Sequence, residues 1–198
     1  MHSFNFSRFC LGLLLCCAAL GAWAQPMAQV RPGVAITLPR DHGAHPDFRT
    51  EWWYVTGWLN TAQGKKGFQI TFFRSRTGLA EGLDSRFAAR HLLFAHAALT
   101  DLDAKSHLHA QRIARWSGLT VGSNSADQSW ARLDDTGLML RDWSLARQSD
   151  GRLRAQVQSK DFSLDLHLSE TQPVLLQGKN GVSRKGPSPA HFSYYYSQ

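Results

Sequence analysis

From residue 50 onward, apolar side chains recur at every second position. In GFQITFFRSR (67–76), Phe68, Ile70 and Phe72 fall on one face, and Gln69, Thr71 and Phe73 on the other. In FSLDLHLSE (162–170), Phe162, Leu164, Leu166 and Leu168 alternate with Ser163, Asp165, His167 and Ser169. That pattern belongs to strands with one buried and one wet face. It predicts strands over 51–60, 67–76, 91–101, 107–116, 138–147, 152–158 and 161–168, with PVLLQG (173–178) as an eighth. TAQGKK, LDAKS, QSDG and SKD separate them and carry turn chemistry. Residues 77–90 and 117–130 are expected to be loops. Short strands at regular spacing predict an all-β fold, an antiparallel barrel or barrel-like sandwich. No internal repeat, phosphate-binding glycine loop or CxxC motif interrupts it.

The first 24 residues break the pattern. MHSFNFSR carries one cation, Arg8; FCLGLLLCCAALGAW is an apolar run too short to span a bilayer comfortably. AWA (22–24) has the small-x-small layout of a signal-peptidase site, so cleavage is expected after Ala24 and the product in the periplasm or outside the cell. This divides the chain into a signal peptide (1–24), a proline-containing lead-in (25–40) and a β domain (41–198). Cleavage removes Cys10, Cys16 and Cys17, all the cysteines there are, so the mature domain holds together by packing without disulfides. It also removes one positive charge, taking the net charge from +7 to 7 − 1 = +6. The remaining cations are dispersed, and an exported protein with dispersed charge is not expected to meet nucleic acid.

DHGAHPDFRTEWWYVTGWL (41–59) concentrates the reactive residue types. His42 and His45 form an HxxH pair near Asp41 and Asp47. It lies in a loop between Pro39 and Pro46, and a convincing zinc site needs three or four ligands of fixed geometry, so no metal is expected. Glu51 opens the aromatic strand and shares a face with Trp53 and Val55. If that face is internal, the acid is either a buried proton donor or the partner of Arg49 or Arg74. His96 lies in FAHAALTD, where Ala95, Ala97 and Ala98 leave room beside the ring; the alternative is a satisfied core histidine. His91 shares no face with His96, and His107 and His109 are expected to face water. No serine sits in a nucleophile elbow, so any chemistry is acid–base rather than covalent.

LPRDHGAHPDFRTEWWYVTGWL, GFQITFFR, FAHAALTD and the closing SYYYS resemble the AttH and carotenoid 1,2-hydratase family, from about Leu38 to the end of the sequence. The resemblance implies two lipocalin-like barrels packed together. The present chain is long enough for the first, so it is expected to be a truncated product, a fragment or a one-barrel variant. It implies a hydrophobic ligand and, in some members, hydration of an isoprenoid double bond. Alkene hydration needs an acid, an aromatic wall for the cation and a positioned water. Glu51, Tyr54 and His96 are candidate catalytic residues of the right type, and His42, His45, Trp53, Arg74 and Tyr195 candidate ligand contacts. By the family pattern the hydratase acid itself lies in the second half. No cofactor is expected.

Three functions compete on this basis. One is an exported hydratase or isomerase acting on an apolar molecule in its full-length form. Another is a non-catalytic lipid carrier linked to an inner-membrane transporter, since AttH-type proteins resemble parts of export systems. The third is an inactive fragment that pairs through the face its second barrel would cover.

Overall fold

The computed structural model describes residues 26–118, 129–188 and 191–198, so the predicted leader lies outside the described residues. The chain forms two antiparallel meanders. The first comprises β1 (Thr50–Thr61), β2 (Gly64–Arg76), β3 (His91–Asp101) and β4 (Ser106–Trp116), in that order across the sheet. The second comprises β5 (Ser129–Ala131), β6 (Gly137–Leu140), β7 (Trp143–Arg147), β8 (Leu153–Gln158) and β9 (Ser163–Leu168), again in order. Four short strands follow: β10 (Leu175–Leu176), β11 (Val182–Arg184), β12 (Phe192–Tyr194) and β13 (Tyr196–Ser197). Of these, β10 pairs with β13 and β11 with β12.

The period-2 pattern decides which side chains go inside. Trp53, Phe72 and Ala95 lie side by side in register, as do Val55, Ile70, Ala97 and Ala110. On the facing sheet, Ala131, Leu138, Leu145, Ala155 and Leu166 form the matching row. These faces pack together into one core around the fully buried Ile70, Leu140 and Trp143. Burying each such side chain stabilises the fold by about 1.5–3 kcal/mol. The sheets adjoin along β4 and β5, where the Ser129 hydroxyl donates to the Arg115 carbonyl. Along β1 and β9 they do not pair, so the molecule is a barrel-like sandwich open on one side.

The long hairpins follow the predicted boundaries closely. Three departures have local causes. The predicted strand 138–147 is two strands, β6 and β7, because Arg141 takes a left-handed backbone conformation (φ 58°) and turns the chain back. The predicted loop 117–130 contains β5 at its end, and residues 119–128 lie outside the described set. The hairpin between β1 and β2 is tighter than TAQGKK suggests: Thr61 pairs with Gly64, leaving two turn residues.

Loop 40–49 ties the sheets together at one end. A 3-10 turn, Arg40–His42, leads into it. The Ala44 N–H donates to the Arg132 carbonyl at 2.7 Å. Gly43 lies so close to the β5–β6 turn that a Cβ there would fall 2.5 Å from the Leu133 carbonyl carbon. Only glycine fits that approach.

Candidate functional site

Arg74, on the inner face of β2, is fully buried. Its Nε donates to Glu51 Oε1 on β1. Its Nη2 donates to the backbone carbonyls of His45 (3.0 Å) and Phe48 (2.8 Å), which pins loop 40–49 to the sheet. Its Nη1 lies 3.1 Å from His91 Nδ1 on β3. Arginine has no lone pair to offer, so His91 accepts there and is neutral. Burial, followed by the neighbouring Arg74 cation, pulls the His91 pKa down to about 4. The His91 ring lies against Trp116, 5.1 Å between centroids.

Glu51 is saturated. The His45 N–H donates to both carboxylate oxygens at 2.9 Å, and His45 Nδ1 lies 3.1 Å from Oε2. Burial alone would raise the pKa of this carboxyl, but the His45 hydrogen bonds and the Arg74 charge outweigh it and hold the pKa below the usual value. Glu51 is therefore an anion at neutral pH. The expectation of a buried proton donor with a raised pKa gives way to the ion pair with Arg74; Arg49 is exposed and takes no part.

His45 sits between two carboxylates, with Nε2 3.1 Å from Asp41 Oδ1. Burial disfavours its charge, but the hydrogen bonds to Glu51 and Asp41 prevail and raise its pKa. A protonated ring donates from both nitrogens to these carboxylates, while Arg40 Nη1, 3.0 Å from Nε2, opposes that charge. His42 is committed elsewhere. Tyr196 Oη donates to the Asp41 carbonyl at 3.1 Å, so His42 Nδ1 donates to Tyr196 Oη at 2.7 Å. Burial, then the Arg147 cation, lowers the His42 pKa, and burial raises that of Tyr196. Each histidine of the pair is thus engaged by a different neighbour. Among the described residues no three His, Cys, Asp or Glu side chains form a metal-ligating group.

The other candidates divide between the two faces of β1. Trp53 points inward, and its Nε1 donates to the His42 carbonyl at 2.9 Å. Tyr54 points outward and shares a 2.6 Å hydrogen bond with Tyr195 Oη. Tyr195 also lies against Trp52, and Lys185 Nζ sits 4.2 Å over the Tyr195 ring and 5.6 Å over Trp52. His96 stands apart. It is exposed on the outer face of β3 beside Phe73 and Phe94, while Ala95 and Ala97 point into the core. Ala95 and Ala97 are packed on the face opposite the imidazole, and of the three alanines Ala98 alone shares its face. The pattern that placed Glu51 inside also places His91 inside. Its partnership with Arg74, and that of His42 with Tyr196 across 154 positions, carried no sequence signal.

These segments border an open cleft of about 1640 Å³ that wraps the free edge of β1, touching Trp53 and Val55 on its inner face and Trp52, Tyr54 and Trp58 on its outer face. Trp53 and Val55 of β1 form one wall, and Leu145, Leu153 and Leu168 of the second sheet the other. The lead-in (27–36) and the C-terminal residues 191–198 frame its mouth.

An antiparallel sandwich of two meanders, open along one seam into an apolar cleft, is a lipocalin-like architecture. The chain belongs to the AttH-like family, whose model matches residues 29–198. A crystal structure of a provisionally assigned AttH from Nitrosomonas europaea is similar to it at 44% identity and a TM-score of 0.69, over 86% of this chain and 48% of that one. The chain thus spans about half the length of that relative. No curated protein matches it.

Proposed function

We propose that this chain is an exported, lipocalin-like binding protein that takes an apolar small molecule, such as an isoprenoid or another lipid, into the cleft between β1 and β9, and that it acts here as a carrier. The observation that carries this reading is the cleft itself. It is large and walled by Trp53, Val55, Leu145, Leu153 and Leu168, with polar side chains such as Arg31, Arg49 and Lys185 at its border. Concave apolar sites with a small number of placed polar groups are where small molecules bind. Acid–base catalysis is the weaker reading for this half. A general acid must hold a proton near neutral pH, and Glu51 is held ionised with both oxygens occupied. His96 is turned away from the cleft, on the outer face of its sheet. The family membership supports the lipocalin-like class, and the sequence of residues 1–24 supports export.

The test is binding of the neutral probe N-phenyl-1-naphthylamine to purified residues 25–198, alongside native mass spectrometry of the same sample. Saturable binding that Val55→Trp or Leu168→Trp abolishes, with the thermal midpoint kept, is the expected result. Absence of both probe binding and any co-purified apolar molecule would sink the reading.

A further inference from the structure

Charge at the mouth of the cleft is unevenly satisfied. Three acids border it, and each has a cation: Glu51 has Arg74, Asp41 has His45, and Glu170 has Arg147. Three further cations border it, and Arg31, Arg49 and Lys185 have no carboxylate within ion-pair distance among the described residues. The segments that carry them meet around Tyr194 and Tyr195. The Arg31 N–H donates to Tyr194 Oη at 2.9 Å. Phe48, next to Arg49, packs its ring edge-on to Tyr194 at 5.9 Å. Lys185 is held over Tyr195 and Trp52 by their ring faces, which fix the ammonium without neutralising it.

Two hydroxyl groups add to this. The Tyr54–Tyr195 hydrogen bond consumes one of two phenol protons, leaving the other free to donate. Ser193 Oγ, also bordering the cleft, is buried with no hydrogen-bond partner among the described residues.

Resting on the carrier reading above, we propose that the ligand is an anionic single-chain amphiphile. Its carboxylate or phosphate head sits at Lys185, Arg31 and Arg49 outside the free edge of β1, and its tail passes over that edge to run between β1 and β9. Unpaired cations at one rim of an apolar cleft select that combination. Paired acids at the same rim reject a cationic head.

Displacement of N-phenyl-1-naphthylamine by oleate, by lysophosphatidate and by oleyl alcohol, each below its micelle concentration, tests this. Both anions should displace the probe at concentrations at least about tenfold below the alcohol, the ratio that one charge-assisted contact supplies. The advantage should shrink at high salt and in Lys185→Gln and Arg31→Gln, which leave the cleft walls intact. Equal displacement by alcohol and anions overturns the head-group assignment while leaving the carrier reading standing. So does discrimination that survives in both variants, or displacement by inorganic phosphate alone. Failure of all three chains to displace bound probe, or of the probe to bind, counts against the carrier reading itself.

Discussion

Arg74 holds four groups from three segments, and Glu51 is the anion that makes its burial tolerable. Arg74→Leu would leave that carboxylate buried without its cation. Removing one partner of a buried pair costs about 3–5 kcal/mol, and urea unfolding should show a loss of that size. Adding Glu51→Gln to Arg74→Leu should recover part of it, because the second change removes the stranded charge. A double variant no more stable than the sum of the single losses would show that the two residues act independently. The same cluster sets a pH dependence. His91 has its folded pKa lowered to about 4, so the unfolded chain binds more protons below pH 6.5; this contribution is complete above 6.5 and is lost as pH falls toward 4. Discounted for residual solvent screening, it is about 2 kcal/mol. His45 has its folded pKa raised, so its contribution is complete below 6.5 and is lost as pH rises through the folded value. Together the two histidines put the stability maximum near pH 6.5. Thermal midpoints across pH 4–9 should peak there, and His45→Gln should flatten the alkaline side alone.

At the scale of elements, the long hairpins were legible because alternation and β-branched or aromatic content agree over ten or more residues in β1 to β4. The pleat then fixes which residues meet, so the inward position of Glu51 followed from that of Trp53 and Val55. Shorter elements left no such trace. Two or three residues, as in β5, β11 or β13, carry too little periodicity to distinguish a strand from a loop. The β6–β7 turn has Arg141 in a conformation that usually draws glycine or asparagine, so the sequence offered no break there. The site was legible as residue types but not as a geometry: which carboxylate meets which cation depends on how loop 40–49 lies over the sheet. That loop rests on Gly43. Gly43→Ala would drive a Cβ into the Leu133–Asp134 backbone, which cannot swing aside as a side chain would. The expected cost is about 1–3 kcal/mol, measured by denaturant titration. An unchanged midpoint would mean the loop can lift off the second sheet freely.

At the scale of the whole molecule, the open seam is the feature on which the functional proposals turn. β1 is a twelve-residue strand paired on one side only, and Trp58 on its outer face is 66% exposed. Unprotected edges of that length invite pairing with further chain, and the cleft lies just inside this one.

The connectivity has a consequence in time as well as in space. Within each meander every strand pairs with its sequence neighbour, so both sheets form from local contacts that close short loops. The clasp by loop 40–49 is different, since Ala44 reaches a partner 88 residues away at Arg132. Contacts of that span are costly to close early. The sheets should therefore be assembled in the folding transition state while the clasp is still open. Gly43→Ala would then steepen escape from the native state and leave the rate of reaching it nearly untouched, so that the clasp acts as the molecule's brake on unfolding.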